Sequence, residues 1–284
     1  MFEEAGAELK DRLRRWTRSL AGEEGWSRLA ALPRPKSEFG VDPFGLDLDW
    51  ALSAAAPLIW LYRHYFRVEV HDIAQVPAGR VLLVGNHGGQ LPLDGAMIAV
   101  SMLLEADPPR IVRSMVEKWV PSLPYVSTFM SRAGQIVGTP ENCRRLLQSG
   151  ESILIFPEGI RGMSKLWSQR YQLQDFGLGF MRLALETDTP IVPVAVIGSE
   201  EQAPAFANLR PLAKLIGFPA FPLTPWGLPL PLPTKYRLHF GKPMRFSGNA
   251  DDEDGELDKK VGEVKSALAA LIAQGLEARS HVFW

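Results

Sequence analysis

The sequence predicts one α/β domain with a central, mainly parallel or mixed sheet flanked by helices, preceded by an N-terminal helical extension. Two observations support this fold class. From about residue 67 onward, short apolar runs rich in Val and Ile alternate with segments of helical periodicity. The length of 284 residues is sufficient for one large hydrophobic core. We therefore divide the chain into an extension, 1–66, and an α/β domain, 67–284.

Two helices are predicted in the extension. The first covers Glu4 to about Leu32 and is amphipathic, because basic residues surround an apolar stripe formed by Leu9, Leu13, Trp16 and Leu20. A linker containing Pro and Gly, 33–47, leads into a second apolar helix, Leu46–Phe66. Each helix suits either a membrane interface or packing against the domain, and the sequence leaves both possibilities open.

Strands and helices alternate in the α/β domain. Asp94 is expected to cap one helix, and Thr139 followed by Pro140 is a typical start for the next. The predicted strands are 67–70, 81–85, 110–116, 134–137, 152–156, 190–197 and 236–240. The predicted helices are 94–105, 139–150, 179–186 and a C-terminal helix that carries Leu257, Val261, Val264, Leu268 and Ile272 on one stripe.

Composition excludes several classes of protein. A formal net charge of -1 gives no reason to expect a nucleic-acid partner. The single cysteine, Cys143, rules out a disulfide framework and fits a reducing compartment. The N-terminus is acidic and lacks an apolar core, so we expect no secretion signal. The longest uncharged stretch, Leu215–Pro233, contains six prolines, so we expect no membrane-spanning helix there.

His87 and Asp94 are the first candidate site residues. The apolar run 81–84 leads into Gly85-Asn86-His87, and Asp94 opens the next apolar segment. A loop that folds back would bring the carboxylate to the imidazole, fix its tautomer and leave the other ring nitrogen to accept a proton. The alternative is that His87 is a turn residue and Asp94 an ordinary helix cap.

A second candidate loop follows the predicted strand 152–156. Its sequence is Pro157-Glu-Gly-Ile-Arg-Gly162, and ligands in α/β sheets sit at strand ends. Gly159 lets the backbone approach a ligand, and Arg161 can bind an anionic group such as phosphate. The alternative is a tight turn with a surface ion pair between Glu158 and Arg161.

Four blocks, taken in order, resemble the glycerolipid acyltransferase superfamily, the enzymes related to bacterial 1-acylglycerol-3-phosphate acyltransferase. The resemblance covers roughly residues 68–241. The blocks are Asn86-His87 with Asp94, Gly134-Gln-Ile136, Phe156-Pro-Glu-Gly-Ile-Arg161 and Ile191-Val-Pro-Val194.

The resemblance implies transfer of an acyl group from an acyl thioester, acyl-CoA or acyl carrier protein, to a hydroxyl of a lysophospholipid or other glycerolipid-like acceptor. His87 would be the general base and Asp94 its orienting partner. The binding residues would be Asn86, Gly134, Ile136, Glu158, Gly159 and Arg161. No metal and no cofactor beyond the acyl donor is expected, and the protein would act on the cytoplasmic face of a membrane without spanning it.

The chain departs from the family pattern at two places. Six residues separate His87 from Asp94, where the usual pattern has four, and this variant resembles the monoacylglycerol and diacylglycerol acyltransferase-like branch. Pro140 stands where enzymes with a phosphorylated acceptor have an Arg, and Arg144 and Arg145 follow inside a predicted helix. A neutral or non-glycerol acceptor, thioester hydrolysis and a non-catalytic lipid-binding role are therefore alternatives.

Two apolar stretches have no place in the regular pattern. The Pro-rich stretch 203–233 predicts a lip that dips into a leaflet or lines an acyl channel, or else an irregular segment buried against the domain. The stretch 119–130, rich in Met and aromatic residues, suits an acyl pocket or plain core, and we expect core.

Overall fold

The computed structural model describes residues 2–34, 37–38, 40–117, 126–209, 213, 221–227 and 230–284, with side chains from residue 8 onward. Most of the stretch 119–130 and much of the Pro-rich stretch therefore lie outside the described residues.

The N-terminal extension is helical, as predicted, and consists of three helices. Helix α1 covers Phe2–Ala30 and is kinked at Gly22, where φ is 75°. Helix α2 covers Leu48–Ala54, and helix α3 covers Ala56–Trp60 and continues into a π-helical turn, Leu61–Tyr65. The predicted single helix over 46–66 is thus divided, and the break falls at Ala55, two residues before Pro57, whose ring removes a backbone donor.

Helix α1 packs on the domain through a row of mostly small side chains that ends in Leu29, and not through Leu9 or Trp16. Thr17, Ala21, Gly25 and Leu29, spaced by four residues, are buried, and α1 contacts α2, α3 and α4. Leu9 is 58% exposed and Trp16 is 44% exposed. Of the predicted apolar stripe, Leu13 and Leu20 are only half-buried. Leu9 and Trp16 are thus left available to another surface.

Seven strands form the central sheet in the order β1-β9-β6-β2-β5-β3-β4. The five strands from β6 to β4 run parallel, whereas β9 is antiparallel to β6 and pairs in parallel with β1. The predicted mainly parallel sheet is confirmed. Its strands are β1 Glu69–His71, β2 Val81–Gly85, β3 Val112–Val116, β4 Ile136–Val137, β5 Ser152–Ile155, β6 Ile191–Ile197 and β9 Arg237–Phe240.

Helices cover both faces of the sheet. Along β2, Leu83 points into a cluster with Leu29 and Ile59, and Leu82 points into a second cluster with Leu147 and Leu268. The N-terminal helices therefore share a core with the sheet, and a boundary at residue 66 stays a prediction. The remaining helices are α4 Leu93–Leu104, α5 Val126–Arg132, α6 Pro140–Gln148, α7 Ile160–Met163, α8 Gly179–Glu186 and α9 Asp254–Ala278.

The described part of the Pro-rich stretch contains a small antiparallel sheet that the sequence did not predict. It pairs β7, Ala207–Asn208, with β8, Pro222–Leu223. Phe206, Trp226 and Leu230 are exposed there. Nothing of α5 is buried, so the described end of the stretch 119–130 is not core, and Phe129 is 47% exposed.

Within the described residues, no helix is both long enough and apolar enough to cross a bilayer. The candidate loops follow β2 and β5, which are neighbours at the centre of the sheet, and the segment after β6 flanks them. Because these three strands are parallel, their carboxyl ends open at one edge, the usual place for a ligand in such a sheet.

Candidate active site

His87 and Asp94 are in direct contact. The loop after β2 folds back so that His87 Nδ1 lies 2.6 Å from Asp94 Oδ2. The same oxygen accepts a hydrogen bond from Gly88 N at 3.1 Å, and Asp94 Oδ1 accepts from Gly95 N at 2.7 Å. Asp94 is fully buried, and these three donors satisfy a carboxylate that would otherwise be costly to remove from water.

The helix cap expected at Asp94 is wrong. Pro92 precedes the first residue of α4, and Asp94 is the second residue of that helix. The carboxylate turns back toward His87 and Gly88, so tertiary contacts take the place of local capping. The six-residue spacing is accommodated by two residues with positive φ, Gly89 at 83° and Gln90 at 66°.

Asn86 fixes the end of β2 to the neighbouring strand. Its side-chain amide donates to Val196 O at 3.1 Å, and its Oδ1 accepts from Val196 N at 2.7 Å. Asn86 is fully buried. The side chain of Asn86, a predicted binding residue, is therefore bonded to β6. These two bonds set the direction in which the chain enters the His87 loop.

The His87 ring lies on Phe156, with ring centroids 4.1 Å apart and planes inclined by 14°. The His87 side chain keeps 9% of its surface exposed. Within the described part of the chain, nothing bonds to His87 Nε2, whereas Nδ1 is held by Asp94. One ring nitrogen is thus oriented and the other is open to a reactant.

Glu158 holds the His87 backbone, whereas Asp94 holds the ring. Its Oε1 accepts from His87 N at 2.9 Å, and its Oε2 accepts from Gln174 N at 2.8 Å. The side chain is buried and lies 3.4 Å from Lys165 Nζ. The alternative of a surface ion pair with Arg161 is wrong: Arg161 is exposed and donates to Asp175 O at 3.0 Å.

Lys165 and Glu200 extend this buried ionic cluster, and sequence reasoning missed both. Lys165 Nζ lies 2.8 Å from Glu200 Oε1, and Glu200 Oε2 accepts from Tyr171 N at 2.8 Å. Burial raises the pKa of the Glu200 carboxyl to about 7, and the nearby Lys165 opposes that rise. The available signal was the sequence Gly198-Ser-Glu-Glu201, which follows a buried strand directly.

Known proteins are similar to this chain in sequence and in fold. The family model described as Acyltransferase matches residues 67–197. An uncharacterized protein of Mycobacterium tuberculosis is 34% identical over 264 residues, which are 88% of this chain and 74% of that one. The mouse protein named DGAT1/2-independent enzyme synthesizing storage lipids is 25% identical over 212 residues, 72% of this chain and 59% of that one.

A solved structure matches at the level of the fold. The crystal structure of the 1-acyl-sn-glycerophosphate acyltransferase PlsC from Thermotoga maritima aligns with a TM-score of 0.54 at 16% identity. The alignment covers 95% of this chain and 96% of that one. This chain belongs to the acyltransferase family. The suspected resemblance and the enzyme class are therefore confirmed.

Two of the remaining predicted residues of this acyltransferase lie on or beside β4, away from the histidine. Ile136 is buried in the core on β4, three strands from β2, or about 14 Å at ordinary strand spacing. Gly134 has a φ of 83°, and Arg113 Nη1 donates to its carbonyl at 3.4 Å. Gly159 precedes α7 with a φ of 55°, beside Glu158. Binding roles for Gly134, Ile136 and Gly159 stay predictions.

Gly162 gives a direct test of how tightly the His87 loop is packed. A β-carbon at this position would lie 2.9 Å from both His87 Cβ and Glu158 Cβ and 3.1 Å from His87 O. We expect Gly162→Ala to lower the acyl-transfer rate at least tenfold, because a displacement below 1 Å spoils a reacting geometry. Steady-state kinetics measures this.

Gly255→Ala is the matched control, since nothing lies within 4 Å of a β-carbon there and the site is on α9. We expect its rate to stay within twofold of the parent. Equal rates for Gly162→Ala and the parent would contradict the tight packing of Gly162 against His87.

Proposed function

We propose that this acyltransferase moves a fatty acyl group from an acyl thioester to the hydroxyl of a glycerolipid-like acceptor, with His87 as general base. The observation that carries the proposal is the 2.6 Å contact between His87 Nδ1 and Asp94 Oδ2. A buried carboxylate at Nδ1 favours the tautomer with its proton on that nitrogen, which leaves the Nε2 lone pair free to accept a proton.

The reaction needs one base and one returning proton. The acceptor oxygen attacks the thioester carbonyl while its proton passes to His87 Nε2, and the C–O bond forms. The tetrahedral intermediate then expels the thiolate, and the imidazolium returns the proton to sulfur. Asp94 stabilises the imidazolium between these two steps. The products are an oxygen ester and a free thiol.

Direct attack by the acceptor fits the local chemistry better than an acyl-enzyme. The cysteine, Cys143, is buried on α6 beside Met115, and burial raises the pKa of its thiol to about 11. A protonated, buried thiol is a poor nucleophile. The bound acceptor hydroxyl itself is the nucleophile that His87 would activate.

Two features favour a neutral acceptor over a phosphorylated one. Arg144 already pairs with Glu141 and Glu186, each at 2.6 Å, so it is not available as a phosphate ligand. Arg161 is 58% exposed and contacts Asp175, so no neighbouring group fixes it toward His87. The mouse relative named for storage-lipid synthesis is consistent with this choice. A monoacylglycerol or another long-chain alcohol is therefore the acceptor that we favour.

Exposed apolar side chains support contact with one leaflet of a membrane. Leu9 and Trp16 project from α1 among Arg12, Arg15 and Arg18. Trp and Leu on a basic helix suit the interface of an anionic bilayer. Further exposed apolar side chains belong to Trp60, Phe129, Trp226 and Leu230.

Removing the base tests the proposal. We expect His87→Ala to lower kcat by a factor of about 10² to 10⁴, the usual contribution of general base catalysis. Mass spectrometry of ester products measures it, with acyl-CoA and acyl carrier protein as donors and monoacylglycerols, lysophospholipids and simple alcohols as acceptors. Free fatty acid as the main product would identify a thioesterase instead.

Asp94→Asn is the companion variant. The Asp94 carboxylate accepts hydrogen bonds from three N–H groups, and an amide in its place would point an NH₂ donor at one of them. We therefore expect kcat to fall at least 10²-fold. His87→Ala at the parent rate, with its unfolding midpoint unchanged, would refute His87 as the base.

Arg161 tests the acceptor class. For a neutral acceptor, we expect Arg161→Ala to leave KM for a monoacylglycerol within twofold of the parent, because no charge is recognised there. Arg182→Ala, a second arginine paired at the surface, is the control. A KM for lysophosphatidic acid that rises tenfold or more only in Arg161→Ala would instead assign Arg161 to a phosphate.

Membrane contact is measured by cosedimentation with anionic vesicles. We expect Leu9→Ser together with Trp16→Ser to reduce the bound fraction several-fold, since each of these exposed side chains would contribute about 1.5 to 3 kcal/mol of transfer free energy on entering a bilayer. Lys259→Ser together with Glu263→Ser, on α9, is the control pair. Unchanged binding would place the membrane contact elsewhere.

A further inference from the structure

Two buried carboxylates contact the His87 loop at adjacent residues. Glu158, after β5, accepts from the His87 backbone N–H at 2.9 Å. Glu200, after β6, lies against Gly88, where a β-carbon would come within 2.3 Å of Glu200 Cγ. The loop that carries His87 is therefore packed against two acidic side chains, only one of which belongs to a block that the sequence singled out.

Lys165 joins the two carboxylates. Its ammonium lies 2.8 Å from Glu200 Oε1 and 3.4 Å from Glu158 Oε2, and its side chain is 4% exposed. A pocket of about 10 Å³ beside Lys165 and Glu200 has space for about one water. The side chains of Lys165, Glu158 and Glu200 are all almost fully buried, so their charges interact mainly with one another. Removing one member of such a set leaves an uncompensated buried charge.

The cluster contains one positive and two negative side chains when all are ionised. Burial raises the pKa of Glu200 to about 7, and the nearby Glu158 carboxylate adds a smaller rise, so the charge of Glu200 changes in the neutral range. The other polar groups around Glu200 come from Tyr171, whose N–H donates to its Oε2, and from Glu201, which pairs with Arg279 and with the Tyr171 hydroxyl. On the far side of the loop, Asp94 is bonded to His87.

We propose that Lys165 and Glu200 are positioning residues that, with Glu158, hold the His87 loop in its working geometry only when Glu200 is ionised. This rests on the proposed function, in which His87 is the base. A protonated Glu200 would lose most of its attraction to Lys165, and the ammonium would then be shared less firmly with Glu158. The loop would loosen below neutral pH, in addition to the direct protonation of the base.

The pH dependence of kcat/KM separates this proposal from a purely structural role. We expect the acidic limb to be steeper in the parent enzyme than in Glu200→Gln, because only the parent loses the Glu200 charge as the pH falls. For Glu200→Gln we also expect a rate at least threefold lower on the plateau. Glu256→Gln, a surface carboxylate on α9, is the control and should keep the slope of the parent.

Lys165→Met is the second variant, and we expect kcat to fall at least tenfold while KM stays within threefold. This change leaves two unpaired buried carboxylates and can therefore destabilise the fold. The double variant Lys165→Met/Glu200→Gln controls for that effect, because it has the net charge of the parent cluster. We expect the double variant to recover the unfolding midpoint without recovering kcat. Recovery of both would reduce the cluster to a structural ion pair and overturn the proposal.

A readout without turnover keeps the two proposals distinguishable. In ¹⁵N-labelled protein, we expect the Tyr171 amide, which donates to Glu200 Oε2 at 2.8 Å, to shift through a titration near pH 7 in the parent and not in Glu200→Gln. An active enzyme whose limb and amide shifts are identical in parent and Glu200→Gln would overturn this inference and leave His87 as the base. Loss of the proposed function would instead appear as full activity in His87→Ala.

Discussion

The buried carboxylate of Asp94 is the constraint on which the active edge of the sheet depends. A charge removed from water must be met by donors, and this one is met by the His87 ring and by the N–H groups of Gly88 and Gly95. Two of these donors lie in the loop and one in α4. One carboxylate therefore fixes the loop, the orientation of the imidazole and the start of the helix together.

Close packing around Phe156 completes the geometry. A β-carbon at Gly85 would lie 2.8 Å from the Phe156 ring, and one at Gly95 would lie 3.3 Å from it. The ring therefore fits between the end of β2 and the first turn of α4, where only glycine leaves room. From this position it forms the flat surface on which the His87 ring lies. Neither glycine belongs to the chemistry, yet both decide where the imidazole is.

The sequence was sufficient for features that depend on local pattern. All of β2 is buried, and the unbroken apolar run 81–84 predicted it directly. Thr139 caps α6 as expected, with its side chain accepting from Asn142 N. The contact between His87 and Asp94 was also within reach, because a Gly-rich loop between a strand end and a helix start can fold back.

Features that depend on contacts between distant segments were not predictable in this way. Lys165 and Glu200 lie 35 positions apart and would ordinarily be assigned to solvent-exposed turns. The sequence predicted a helix cap at Asp94 because the preference of Asp for capping positions is a local signal. The partner that the Asp94 carboxylate binds instead, the His87 ring, follows a strand of the sheet. The stripe of α1 misled for a related reason: Thr17 and Gly25 are not apolar signals, yet they allow the close approach that buries this helix.

The buried charges of Lys165, Glu158 and Glu200 serve position more than stability. Buried ion clusters contribute little net stability, because desolvation offsets much of their attraction. Lys165, Glu158 and Glu200 therefore cannot be explained well as stabilisers of the fold, for which apolar side chains of similar volume would serve equally. What apolar side chains cannot do is accept the His87 backbone N–H and hold it at a fixed distance. On our proposal, the cluster keeps a histidine at a strand end in one position before any substrate arrives.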